Sequence, residues 1–223
     1  MPKILTSFQE RTLKEIGKSE LSRYFIWSGG TALAYQYLSH RKSHDLDFLS
    51  KDLFPDGYLL SQIKEISKNL KIKKIEEQQK FNRHEFWLKQ DKKILKIEFI
   101  FYPFPNIKKP IKLPEFNIKI DSIEDILANK VHAIFERAEP KDVFDLYCIL
   151  QKRKTKFLTI FKWVKRKFGV EIDPVLFATK TLEQLTELDK IKPLILETSK
   201  FQPNKIKNYF EKEAQDYLKR KIK

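Results

Sequence analysis

The sequence predicts an α+β protein, with a mixed sheet and its helices over residues 1–120 and a helical region over residues 121–223. Three observations predict it. Short apolar or alternating runs recur between residues 24 and 120. From Ser122 onward, apolar residues fall at three- and four-residue spacing. A Gly-Gly pair sits where a strand-like run gives way to a helix-like one. Sheet first and helices afterwards is the α+β pattern, not the alternating one.

The elements follow in order. The segment Met1 to Glu20 reads as a short helix with Ser7 and Glu10 as its capping box. Tyr24 to Ser28 is a short apolar strand that Gly29-Gly30 ends, and Thr31 to Leu38 continues as a helix. His44 to Leu49 alternates polar and apolar, as a half-buried strand does. Asp56 to Asn69 is helical, and three strands follow at Lys71–Glu77, His84–Lys89 and Ile94–Tyr102. The proline-bearing stretch from Pro103 to Pro114 breaks regular structure, and a last strand lies near Phe116 to Ile120. Beyond it, Ser122 caps a helix bearing Ile123, Ile126, Leu127, Val131 and Ile134 on one stripe. Pro140 opens a helix through Leu150, since proline is tolerated in a first turn. Further helices are predicted at Phe157–Phe168, Pro174–Leu185 and Asn204–Lys219.

Composition narrows the class. No apolar run reaches the roughly 18–20 residues of a membrane span, and no signal-peptide core opens the chain, so a cytoplasmic address is expected. One cysteine, Cys148, rules out intramolecular disulfides and cysteine-based zinc sites; its apolar neighbours mark it as buried filler. The net charge of +15 attracts polyanions without choosing among them. Eight basic residues and no acidic one fall between Lys152 and Lys167, which reads either as a nucleic-acid footprint or as a solvated lysine-rich surface.

The sharpest constellation is Ser28-Gly29-Gly30-Thr31 followed by Asp45-Leu46-Asp47. Adjacent glycines let a backbone approach a ligand, and the helix that follows offers unpaired N–H groups to phosphate. On a strand, Asp45 and Asp47 project to one side while Leu46 and Phe48 face the core. Two carboxylates so close favour a cation between them, and hard oxygen ligands suit magnesium. Glu98 interrupts an apolar strand and so needs a metal or an ion-pair partner. Lys130 shares an apolar stripe with Ile123, Ile126, Leu127 and Ile134, Arg137 follows one turn beyond Ile134, and Asp142 and Asp145 lie three apart on the next helix. Spacing alone allows either a phosphate-binding lysine or an interhelical ion-pair network. The scattered histidines match no zinc spacing, and Ser28 lacks a histidine base.

Taken together, Ser28-Gly29-Gly30-Thr31-Ala32-Leu33, Arg41, and His44-Asp45-Leu46-Asp47-Phe48 resemble the glycine-rich motif and paired aspartates of AbiEii/AbiGii-type nucleotidyltransferases. Lys130-Val131-His132-Ala133, Arg137 and Lys141-Asp142-Val143-Phe144-Asp145-Leu146-Tyr147 are similar to that family's second signature. The resemblance covers roughly residues 20–150 and implies a polymerase-β-like core with a helical C-terminal region, Mg2+ (or Mn2+) and an NTP substrate. By position it implies that Ser28, Gly29, Gly30 and Thr31 hold the triphosphate, joined by Lys130 and Arg137. Asp45 and Asp47 would bind the metal with Glu98 as a third ligand, and Asp142 would serve as base or orienter for the attacking hydroxyl. It further implies a toxin with a cognate antitoxin in a phage-defence or stress module, acting on RNA, tRNA in particular. Nucleotidylation of a protein and a catalytically inactive binding fold are the alternatives.

Overall fold

The computed structural model describes residues 3–137, 139–198 and 201–221. They form two compact units, the first ending at Ser122 and the second beginning at Ile123.

In the first unit, helix α1 (Ser7–Lys18) starts from Thr6, not Ser7. Thr6 Oγ1 accepts the Gln9 N–H at 3.1 Å, and Gln9 Oε1 accepts the Thr6 N–H at 2.9 Å. The capping box is therefore Thr6/Gln9, one residue before the expected pair, because glutamine closes such a box as well as glutamate does. A one-turn helix α2 (Leu21–Tyr24) takes Tyr24, the first residue assigned to a strand, and leaves β1 at Ile26–Ser28. Helix α3 (Gly29–Leu33) follows at once and widens into a π-helical turn, Ala34–Leu38, which ends on Ser39 with φ of 52°. The helix thus begins two residues earlier than expected, since Gly29 turns the chain with φ of +76°.

Strand β2 (Leu46–Ser50) leaves Asp45 just outside, and helix α4 (Asp56–Asn69) matches its predicted span. The hairpins β3 (Lys74–Lys80), β4 (Arg83–Gln90) and β5 (Lys93–Phe101) come next. The proline-bearing stretch, predicted irregular, contains β6 (Ile111–Leu113), which pairs with β7 (Ile118–Ile120). Local sequence could not show that pairing because it depends on a strand beyond the turn.

The seven strands are ordered β3-β4-β5-β2-β1-β7-β6. Pairs β2/β5 and β1/β7 are parallel and the others antiparallel, so the sheet is mixed as predicted. On its core side, Phe48 stacks on Phe99 at 5.3 Å, and Phe25 and Phe86 meet Phe99 edge-on at 4.9 and 6.1 Å. Leu13, Ile16, Ile63, Leu46 and Ile97 are fully buried, each contributing about 1.5–3 kcal/mol. The alternation of β2 and β5 leaves the opposite face free for polar groups.

The second unit is helical: α5 (Ile123–Glu136), α6 (Pro140–Arg153), α7 (Phe157–Phe168), α8 (Pro174–Leu185) and α9 (Pro203–Lys221). A 3-10 segment, Leu188–Leu194, went unforeseen because Pro193 lies inside it. Asp173 Oδ1 caps α8 by accepting the N–H groups of Val175 and Leu176. Lys154 and Gly169, both with positive φ, end α6 and α7. Cys148 is half-buried on α6 instead of filling the core. Among the described residues no helix is long and apolar enough to cross a membrane.

Candidate active site

Register brings the first signature together. Ser28 on β1 lies opposite Asp47 on β2, and Asp47 lies opposite Glu98 on β5. The Asp47 carboxylate rests directly on Gly29: a Cβ added there would stand 1.9 Å from Asp47 Oδ2 and 2.7 Å from its Cγ. A missing side chain and a left-handed backbone are thus both required at position 29. Gly30 is close-packed as well, with a Cβ there falling 2.5 Å from Arg41 Nη2 and 3.1 Å from Ser43 Oγ.

Three side chains fix this arrangement from behind. Thr31, 1% exposed, donates its hydroxyl to the Asp45 carbonyl at 2.5 Å. Gln9 donates Nε2 to the carbonyls of Ser43 and His44 at 3.0 and 2.9 Å, while its Oε1 serves the α1 cap. Arg41 is buried and donates Nη1 to the Lys42 carbonyl at 3.0 Å. The loop bearing Asp45 is therefore held by the helix turn on one side and by α1 on the other. Leu46 and Phe48 point into the core and Asp47 does not, as strand alternation requires.

The polar row extends across the sheet. Ser28 Oγ donates to Asp121 Oδ2 at 2.8 Å, and Glu98 lies opposite Glu85 on β4. Glu98 carries cations on both oxygens, Lys96 Nζ at 2.5 Å on Oε1 and Arg83 Nη1 at 3.0 Å on Oε2. Lys96 also reaches Glu85 at 3.1 Å. Burial works against the charge on Glu85, but Lys96, Lys80 and Arg83 outweigh it and hold the carboxyl below its ordinary value. Burial likewise opposes the Lys96 ammonium, and Glu98 and Glu85 outweigh it and raise its pKa. Glu98 thus has ion-pair partners of the kind the alternative reading named.

The second signature assembles separately, within the second unit. Lys130 Nζ on α5 donates to Asp142 Oδ1 at 2.6 Å and pairs with Asp145 Oδ2 at 2.7 Å, both on α6. Arg137 Nε donates to Asp142 Oδ2 at 2.9 Å. Both carboxylates are 0% exposed and Lys130 is 6% exposed. Burial is the largest influence on Asp142 and disfavours its charge, yet Lys130 and Arg137 together hold its carboxyl below the ordinary value. Part of the basic block is also spent internally: Lys167 pairs with buried Asp125 at 2.7 Å, Arg153 with Glu124 and Lys165 with Glu171.

For a divalent metal, Asp47 offers hard oxygens packed against the Gly29 turn and Asp45 stands one residue before its strand, which suits an ion held by one or two carboxylates plus substrate phosphates. Among the described residues no three His, Cys, Asp or Glu side chains are gathered into a ready-made metal cluster. A third bond from Glu98 requires that Lys96 or Arg83 give up an oxygen. Two residues of this arrangement stood outside the expected site. Asp121 gave no sequence signal, because only the β1/β7 pairing sets it beside Ser28. Arg41 had one, its place between the glycine pair and the aspartates.

A family model described as nucleotidyl transferase AbiEii toxin, type IV TA system, matches residues 11–219. Aquifex aeolicus (strain VF5) has an uncharacterized protein, aq_aa25, that is 27% identical over 216 residues, spanning 91% of this chain and 96% of that protein. Two solved Helicobacter pylori structures share the fold at 18% identity. JHP933 superposes with a TM-score of 0.58 over 95% of this chain and 89% of its own. A second has a TM-score of 0.59 over 98% of this chain and 99% of its own.

Proposed function

Because the chain belongs to the AbiEii nucleotidyl transferase toxin family of type IV toxin–antitoxin systems and is thereby a nucleotidyltransferase, we propose that it transfers NMP from an NTP to a hydroxyl of RNA, tRNA in particular. The observation that carries this reading is the Asp47 carboxylate seated on Gly29, with Asp45 tethered to Thr31 beside it. In this reading Asp45 and Asp47 hold Mg2+ or Mn2+. Bound there, the ion neutralises charge developing on the phosphate oxygens. The backbone of Ser28, Gly29, Gly30 and Thr31 lies against the triphosphate, where glycine permits close approach. The acceptor hydroxyl forms a bond to the α-phosphorus, the bond to the bridging oxygen breaks, and pyrophosphate leaves as the hydroxyl proton passes to solvent. Positioning does most of the work in such a displacement.

Roles in the second signature follow from chemistry. An effective general base has a pKa near the working pH, and Asp142 is held in the opposite direction. We therefore read Asp142 as the residue that orients Lys130 and Arg137, whose contacts to phosphate rest on the family resemblance. Glu98 joins as a third metal ligand in this reading only by exchanging an ion pair. The net charge of +15 favours RNA over protein as acceptor. The family also supports an antitoxin as partner, and we place the pair in a phage-defence or stress setting.

The test is incubation of purified protein with each labelled NTP, Mg2+ and either total tRNA or cell protein. Label on tRNA, absent from an Asp45→Asn, Asp47→Asn variant that keeps the wild-type melting temperature, is expected. Label only on protein would move the acceptor to that class. Transfer that survives the double substitution would overturn the site.

A further inference from the structure

The polar face of the sheet continues past the aspartates. Cross-strand partners share a face, so the register that aligns Ser28, Asp47, Glu98 and Glu85 sets all four on one side. Trp87 and Lys96 belong to the same side: they pair directly, Trp87 two residues after Glu85 on β4 and Lys96 two before Glu98 on β5. Leu46 pairs with Ile97, so Lys96 stands level with Asp45. Trp87 is therefore two strand spacings from the aspartate strand, about 10 Å. Its neighbours Phe86 and Leu88 turn into the core, while Trp87 is left half-buried on the polar face. Lys96 braces the ring, its ammonium 5.5 Å from the indole centroid and paired with Glu98 and Glu85. Beside the ring lies an open depression of about 380 Å3, lined by Trp87, Lys89, Ile94 and the β3 residues Glu76, Glu77 and Gln78.

An indole beside the 63% exposed Ile94 suits a flat ring, and aromatic side chains on a sheet are platforms on which unpaired nucleobases stack. The charges agree. Glu85 and Glu98 are covered by Lys80, Arg83 and Lys96, and Glu76 by Lys74 and Lys89. Cations therefore outnumber carboxylates on β3, β4 and β5, and this part of the face attracts a phosphate backbone. Position decides which base stacks there. The triphosphate is assigned to Ser28–Thr31, on the β1 side of the aspartates. In-line displacement brings the attacking hydroxyl from the side away from the leaving pyrophosphate, and β5 and β4 lie on that side. The gap from the aspartates to Trp87 is within the reach of one nucleotide, from hydroxyl to base.

Resting on the RNA nucleotidyltransferase reading of the aspartates, we propose that Trp87 stacks the terminal base of a single-stranded RNA end, so that this face seats the acceptor and delivers its hydroxyl to Asp45 and Asp47. Full-length protein carrying Asp45→Asn and Asp47→Asn, which disables the candidate metal site, is titrated with a single-stranded oligoadenylate of about ten nucleotides, within the span of such surfaces. Tryptophan emission should be quenched saturably. The quench should vanish in Trp87→Phe and persist in Trp163→Phe, which alters α7 of the second unit. Trp87→Ala should weaken binding about five- to a hundredfold, the range of one base stack; Trp87→Phe, which still stacks, should weaken it much less. In the active protein, Trp87→Ala should raise KM for tRNA by a similar factor and leave KM for the NTP unchanged. No quench, an affinity that Trp87→Ala leaves intact, or a KM that rises for the NTP instead overturns the proposal. Label that reaches tRNA at unchanged KM in Trp87→Ala overturns the Trp87 platform alone. Label that reaches only protein overturns the RNA reading itself, and the acceptor seat with it.

Discussion

Lys130→Met separates the structural work of this lysine from any role toward phosphate. Methionine keeps the apolar stem and removes only the ammonium, which now pairs with Asp142 at 2.6 Å and Asp145 at 2.7 Å. Both carboxylates are 0% exposed, and Asp145 loses its pairing with Lys130. Removing one partner of a buried ion pair costs about 3–5 kcal/mol. For a chain of this size that is about 6–20 °C in melting temperature. The pH dependence identifies the cause. In the wild type the Asp142 pKa is lowered on folding, so its contribution is present above the unfolded carboxyl pKa and is lost as pH falls through the folded one. In the variant, burial is opposed only by Arg137, so the carboxyl moves upward and protonation relieves the cost. Urea unfolding of both proteins at pH 7 and pH 4.5 should therefore show a large stability gap that narrows in acid. A gap under about 1 kcal/mol at pH 7, or one that does not change with pH, would refute the buried-network account.

The remaining predictions concern the first unit. Gly29→Ala places a side chain at φ of +76° and 1.9 Å from Asp47 Oδ2, so the carboxylate must move. Transfer should fall about a hundredfold, the scale of a misplaced reacting group, with about 1–2 kcal/mol lost in urea unfolding; near-normal turnover would remove Gly29 from the site. Gln9→Ala loses the α1 box and both bonds to the 43–44 carbonyls, about 2–3 kcal/mol together. Gln9→Glu keeps the acceptor for Thr6 but sets a buried oxygen against those carbonyls, so it should cost at least as much stability as Gln9→Ala and also lose metal affinity. Mn2+ titration followed by paramagnetic resonance reads that affinity, and an unchanged value for Gln9→Glu would sever the link between α1 and the aspartates.

Local patterns carried much of this protein. Helices α4, α7 and α8 stand where apolar spacing and their end residues put them, because a helix end is chosen by residues within one turn. The same holds for Asp47 against Leu46 and Phe48, since strand alternation depends only on the pleat. The glycine pair and the aspartates were legible as a motif because close backbone approach and paired carboxylates each demand particular residue types.

Only the tertiary structure decided the rest. Glu98 takes one cation from its own strand, Lys96 two residues before it, and a second from the neighbouring β4, Arg83, which only the strand pairing supplies. Asp121 joined Ser28 through a parallel pairing of strands more than ninety positions apart. The basic run from Lys152 to Lys167 read either as a nucleic-acid footprint or as a solvated surface, yet Lys167 runs inward to Asp125. For Arg83 on Glu98, Asp121 on Ser28 and Lys167 on Asp125, the partner of a polar or charged group comes from a segment that only the tertiary fold brings beside it.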